Sequence, residues 1–423
     1  MKIASVRVTP IAISDPPLLN ASGVHEPFAL RSIIEIEADN GLIGLGETYG
    51  DKPVLDGLLQ VKDRLPGLSP FDLNGAAREV RAALSAGAPP ASAVEIDLAP
   101  GSQLDKAEQK VFGAFEVALL DLQARSLGVP LHELLGGAVR RRVPFSAYLF
   151  FKYASDVDAS YRPDSWGEAL TPGQIVGQAR TMIERYGFGS IKLKAGALDP
   201  DIEVASLKAL KRAFPDHPLR IDPNANWSLD TSIRIAKQLE GDLEYYEDPT
   251  PGLEGMAQLH RATGLPLATN MVVTSMDEFR RNVALGGVQI VLSDHHYWGG
   301  LRATQTLATM CATFGLGLSM HSNSHLGISL MAMSHLAAAV PNLTYACDTH
   351  YPWQEDEVLK GGKIAIEGGC VSVTDAPGLG VELDRDALGA LHERYLQCGM
   401  TQRNDAAQMR KLHPEWIAKK PRY

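Results

Sequence analysis

The sequence predicts an α/β protein, a (β/α)7β TIM-like barrel covered by an α+β capping domain. Three observations carry this reading. From residue 143 onward, short apolar runs alternate with helical segments, giving eight strand candidates with seven helices between them. Before residue 60 the chain reads instead as alternating strands joined by turns. Six consecutive strand candidates of the second region end on polar residues, as they do where a barrel opens onto a site. The expected division is a capping domain over 1–135, a barrel over 136–355, and a C-terminal segment, 356–423, that returns to the cap.

In chain order, KIASVRVTPIAI and RSIIEIEADNGLIGLGET alternate with period two, and Asp39-Asn40-Gly41 supplies the hairpin turn. Gly41, Gly44 and Gly46 lie inside that hairpin with no helix following, which argues against a nucleotide-binding loop. A polar loop, NASGVHEPF, occupies 20–28. Helices are predicted over 74–85 and 106–127, the second stopped by Gly128 and Pro130, with an Ala/Pro/Ser/Gly-rich mobile loop between them at 86–105.

The barrel strands begin VPFSAYLF, SIKLKA, LRIDPN, LEYYEDP, LATN, VQIVLSD, GLGLSMHS and LTYACDT. Thr171-Pro172 opens the first intervening helix and Gly187 ends it. After residue 352 the pattern gives short strands in KIAIEGGCVSVTD and a final helix.

Composition narrows the function classes. A formal net charge of −10 argues against nucleic acid or an anionic membrane as partner. No apolar run is long enough to span a bilayer, and MKIASVRVTPIAI lacks a signal peptide's apolar segment. The four cysteines form no CxxC pair, which argues against a disulfide framework or structural zinc and fits a reducing compartment. A cytoplasmic homo-oligomer with a small-molecule substrate is expected.

The strand ends read Lys192 and Lys194, Asp222, Glu247, Asn270, Asp294 and His321. Asp222 or Asp294 alone would read as a helix cap, but six polar ends in register converge on one mouth. Asp222, Glu247 and Asn270 offer only oxygen, which suits Mg2+. Zinc would need His295, His296, His321 and His325, yet there is no HExxH, and His321 and His325 straddle a turn.

A divalent cation between lysine and histidine suits removal of a proton next to a carboxylate, because positive charge stabilises the enediolate while a base takes the proton. A second cation nearby makes a lysine easier to deprotonate, which gives Lys192 a use beside Lys194, either in preparing it or in helping to hold an anion. Asp294 can orient His321 and sustain its charge.

With these residues in view, the chain resembles the glucarate dehydratase group of the enolase superfamily over nearly its whole length. KxK, DPNANW, EDP and GLGVELD resemble the superfamily in general, while ATNM around Asn270 and HSNSH at 321–325 are more specific, the group having asparagine where most members have a carboxylate. The resemblance implies Asp222, Glu247 and Asn270 as magnesium ligands, Lys194 and the His321–Asp294 pair as two bases, and Asn323 near the reacting centre. It also implies substrate contacts from Asn20, His25, Tyr148, Phe150, Asn270 and His350. By itself His25 reads as a surface-loop residue, which the resemblance overrides. For Arg403 a substrate contact and a solvated tail charge both stay open. SDHHYWGG departs from the group, which has proline after the aspartate.

The activity implied is removal of the C5 proton of D-glucarate, or of L-idarate, and loss of the C4 hydroxyl to give 5-keto-4-deoxyglucarate. The alternatives are a dehydratase or epimerase for another acid sugar, or a catalytically weak relative acting as a partner subunit. A panel of diacid sugars separates them.

Overall fold

A computed structural model describes residues 1–85 and 106–423; the loop predicted at 86–105 lies outside the described residues. The chain begins with the long strand β1 (Ile3–Ser14), a two-residue pair β2 (Leu19–Asn20) and β3 (Gly23–Val24), then β4 (Phe28–Ala38) and β5 (Ile43–Tyr49). β1, β4 and β5 form an antiparallel sheet in that order, with Ile34 opposite both Val8 and Gly46.

The helices that follow are α1 (Lys52–Lys62), α2 (Leu73–Leu84), α3 (Ala107–Leu127) and the short α4 (Leu131–Leu134). Gly44 and Gly46 have a packing role here: a Cβ on either would stand 2.1 Å from Ala118 O or 2.6 Å from Ala114 O, so the glycines let α3 press directly on β5. The reading of the first 60 residues as strands is corrected by α1. Pro53 stands in its first turn, and Val54, Leu55, Leu58 and Val61 recur at helical spacing and are buried.

After the short strand β6 (Arg142–Pro144), the barrel follows as β7 (Ala147–Phe150), α5 (Pro172–Tyr186), β8 (Ile191–Lys194), α6 (Pro200–Ala213), β9 (Leu219–Asp222), α7 (Leu229–Gln238) and β10 (Leu243–Glu247). It continues through α8 (Gly252–Thr263), β11 (Leu267–Thr269), α9 (Met276–Leu285), β12 (Ile290–Ser293), α10 (His295–Trp298), α11 (Leu301–Phe314), β13 (Gly317–Met320) and α12 (Gly327–Ala339). Strands β7 to β13 are parallel and pair in sequence order.

α5 shows why the alternation is so regular. Thr171 and Gln174 make a reciprocal capping box at its start, Pro172 sits in its first turn, and Gly187 ends it with φ +73°. The eighth strand candidate forms only an isolated bridge, Phe145 with Cys347, and its backbone bonds alternate between two neighbours. Thr344 and Asp348 donate to Leu318 O and Met320 O at 3.0 and 2.9 Å, while Cys347 N donates to Pro144 O and Ser146 N to Cys347 O, both at 2.9 Å. The segment thereby closes the ring between β13 and the chain entering β7.

Of the tail strands only β14 (Cys370–Ser372) forms, and it pairs with β6 beside the barrel. α13 (Arg385–Cys398) then packs on β1, and α14 (Asp405–Leu412) on β3. No helix among the described residues is long and apolar enough to cross a membrane.

Candidate active site

Side chains at alternate positions of β8 point the same way, and register sets Lys192 and Lys194 in two successive layers of the barrel. Lys192 lies between Tyr148 and Arg220, and Lys194 between Phe150 and Asp222. Each ammonium is buried and matched by acid. Lys192 Nζ lies 2.7 Å from Glu247 Oε1 and 2.6 Å from Asp348 Oδ2, 4.5 Å above the Tyr148 ring. Burial disfavours its charge, yet Asp348 and Glu247 outweigh burial and hold its pKa well above that of free lysine. Lys194 Nζ reaches Asp222 Oδ2 at 2.6 Å and also bonds Asn224 Oδ1.

Asp222, Glu247 and Asn270 sit at or just past the ends of adjacent strands β9, β10 and β11, all fully buried. Asn270 Oδ1 has no hydrogen-bond partner among the described residues, a costly state that a cation would relieve. Burial, then the charge of Asp222, drives the Glu247 carboxyl well above its usual range. Burial also acts against Asp222, but Lys194 and Lys192 hold it down at about 2. An oxygen-only donor set, an orphaned amide oxygen and two crowded carboxylates fit a hard divalent cation.

Asn270 is held from behind. Its N–H donates to Asp248 Oδ2 at 2.8 Å, and its carbonyl accepts from the Tyr297 hydroxyl at 3.2 Å.

Across the mouth, His321 turns Nδ1 to Asp294 Oδ2 at 3.2 Å. Burial lowers the pKa of His321 against the opposing pull of Asp294. Asp294, also buried, stays well below the usual carboxylate range because His296 and His321 outweigh burial. Asp294, His295 and His296 place ligand atoms within 4.8 Å of one another. However, His296 has both ring nitrogens engaged, by Asp294 Oδ1 at 2.7 Å and Ser329 Oγ at 2.9 Å. His325 is likewise occupied, by Leu326 O and Thr349 Oγ1.

Lys194, Asn224, His321, Asn323, Ser324, Tyr148, Phe150 and His350 line a cavity from the barrel side, and Asn20, His25 and Arg403 line it from the cap. Lys192, Asp222, Glu247, Asn270 and Asp294 do not line it. His25 Nδ1 lies 3.1 Å from Asp15 Oδ2, Asn20 Nδ2 donates to Asp405 Oδ2 at 2.7 Å, and Arg403 grips Asp405 with Nε at 2.6 Å and Nη2 at 2.7 Å. The C-terminal tail thus brings Arg403 into the cavity wall. Burial, and then His25, push His350 well below the usual histidine range.

Sequence reasoning missed Asp348, the counter-ion of Lys192, although its place just before His350 follows the same strand-end rule. It also missed Tyr49, whose hydroxyl accepts from Asn323 Nδ2 at 2.7 Å, and Asp15 and Asp405, which hold the cap residues.

Comparison with known proteins places the chain in a family. Residues 174–387 match the family described as "Enolase C-terminal domain-like". The chain belongs to the enolase superfamily. It is 49% identical over 421 residues, 99% of this chain and 97% of the relative, to the "Probable glucarate dehydratase" of Streptomyces coelicolor. An enolase from Pseudomonas fluorescens, solved with magnesium, potassium and tartrate, is 69% identical at a TM-score of 0.98, covering 100% of this chain and 99% of that one. One from Thermobispora bispora, solved with magnesium and formate, is 50% identical at a TM-score of 0.96, with 100% of both chains covered.

Proposed function

We propose that this enolase-superfamily enzyme is a magnesium-dependent dehydratase of six-carbon diacid sugars, acting on D-glucarate and L-idarate to give 5-keto-4-deoxyglucarate. The observation that carries the reading is that Lys194 and His321 line one cavity whose cap side holds His25, Asn20 and Arg403. That arrangement pairs two bases with donors for a second carboxylate. The likeness to a glucarate dehydratase and to a structure holding tartrate, itself a hydroxy diacid, supports it.

Asp222, Glu247 and Asn270 would hold magnesium, which when bound supplies positive charge against the negative charge that builds on the substrate carboxylate. Asp294 fixes Nδ1 of His321, leaving Nε2 to take the C5 proton of D-glucarate. The C5–H electron pair then forms the double bond to C4 as the C4–O bond breaks. His321 returns its proton to the departing hydroxyl, and water leaves. Tautomerisation of the enol gives the 5-keto acid. Lys194, as the free amine, serves the opposite configuration at C5. Asn323, anchored on Tyr49, contacts substrate near C5 and C4, and His25, Asn20 and Arg403 take the distal carboxylate.

Incubation with a panel of diacid sugars, following α-keto acid formation, tests the reading. Turnover of D-glucarate and L-idarate is expected, whereas turnover of other diacids alone would overturn the substrate assignment.

A further inference from the structure

Asp294 does not stand alone behind His321. Its second oxygen, Oδ1, accepts from the backbone N–H of His296 at 2.9 Å and faces His296 Nδ1 at 2.7 Å. On the other side of that ring, Nε2 lies 2.9 Å from Ser329 Oγ and 3.3 Å from Arg31 Nη2. Arg31 Nη2 also reaches Ser329 Oγ at 3.4 Å, and Arg31 Nε donates to Glu47 Oε1 at 2.9 Å. Glu47 closes the arrangement by accepting from the backbone of Leu326 and Ser329, each at 2.9 Å. Arg31, Glu47, Asp294, His296 and Ser329 are all buried.

Hydrogen-bond polarity fixes the direction of this chain. A guanidinium has no acceptor, so a ring nitrogen facing it must carry its lone pair. Nε2 of His296 is therefore the acceptor, taking the Ser329 hydroxyl proton while Ser329 Oγ accepts from Arg31. The ring proton is left on Nδ1, where it donates to Asp294. Read from the cap sheet, the donors run Arg31 to Ser329 to His296 to Asp294, and His321 donates to the same carboxylate from the opposite side. Tyr49 and His295 wall the ring, with centroids 5.4 and 4.0 Å away.

We infer that His296, set in its Nδ1–H tautomer by Arg31 and Ser329, is a positioning residue for the reaction: it holds the Asp294 carboxylate so that Oδ2 orients His321, and it ties that base to the cap sheet through β4 and β5. The inference rests on the two-base reading above for its catalytic consequence, but the tautomer stands on geometry alone. Lys194, across the mouth, takes no part in the chain. Loss of His296 should therefore handicap one face of the substrate and spare the other, a split that a general loss of packing would not produce.

Two measurements test it. Nitrogen-15 NMR of the holoenzyme labelled at histidine, with the His296 signals identified by their loss in His296→Asn, should show the Nδ1–H tautomer between pH 6 and 8. An Nε2–H tautomer or an imidazolium there would overturn the relay. In deuterium oxide, His296→Leu should lower C5 exchange of D-glucarate by roughly 10–100-fold, the usual effect of removing a group that orients a functional side chain, and leave exchange of L-idarate within about twofold. His296→Asn, whose amide can replace the Nδ1 donor, should recover most of the loss. Equal losses with both epimers, or none with either, would overturn the positioning role. If the wild-type enzyme exchanges neither epimer, the proposed substrates fail while the nitrogen signals still decide the relay.

Discussion

Lys194 and Asp222 share a buried hydrogen bond, Nζ to Oδ2 at 2.6 Å. One is a proposed base, the other a proposed metal ligand, so the two functions are joined in a single contact. A cation held by Asp222 would draw on the carboxylate charge that holds the Lys194 ammonium in place. Metal and base are then coupled through that charge.

The metal site is tested first. Glu247→Gln removes a carboxylate beside Asp222 while leaving an acceptor for Lys192. Magnesium binding, read by calorimetry, should be lost with an unchanged far-UV circular dichroism spectrum, since the site lies at the barrel mouth and not among its apolar layers. Full activity in this variant, or in enzyme stripped with chelator, would remove the assignment.

The cap contacts make a second case. His25 is buried against Asp15 and faces His350 with ring centroids 6.3 Å apart. His25→Ala should lower kcat/KM for D-glucarate by roughly 100-fold, in the range seen when one polar group aimed at substrate is removed, while slow C5 deuterium exchange persists. An unchanged kcat/KM would make the loop a connection only.

Stability should respond to pH through Glu203. Its carboxylate accepts from the backbone N–H groups of Gly196, Ala197 and Leu198, at 2.8, 2.9 and 2.8 Å, and so fixes the turn after KLK. Burial raises its pKa to about 8 in spite of these donors. The folded state therefore binds a proton more tightly than the unfolded chain, whose glutamate titrates near 4.5. This contribution to stability is full below about 4.5 and is lost as pH rises toward about 8. Glu203→Gln should flatten that part of the Tm profile and, by weakening the turn, cost about 1–3 kcal/mol. A Tm profile as steep as that of the wild type would exclude Glu203 as its source.

Much of the site is legible because one rule covers it. Lys194, Asp222, Glu247, Asn270, Asp294 and His321 all stand at or just past strand ends, with Lys192 two residues inside β8, and a parallel barrel brings such ends together. The same rule covers Asp348, near the end of the eighth strand candidate LTYACDT and one strand beyond the six ends read as polar. α1 is hidden by Gly50 and Pro53, which look like a turn although Pro53 sits where a helix tolerates it.

The partners behind the site are illegible for a different reason. Arg31 meets His296 across 265 residues, and Glu47 meets Leu326 across 279. Nothing local marks a buried ion pair whose purpose lies in another domain. The place of Arg403 is hidden in the sequence for the same reason, since only folding carries it beside Asp15.

The central claim is that Lys194 and His321 serve opposite faces of one carbon, and exchange in deuterium oxide reads it most directly. With D-glucarate, His321→Asn should lose C5 exchange by at least about four orders of magnitude, as when other essential catalytic groups are removed, yet it should still exchange L-idarate. Lys194→Ala should show the reverse preference, and neither variant should interconvert the two epimers. Equal loss of exchange with both epimers in both variants would contradict the account, because the two residues would then be acting as one unit on one face.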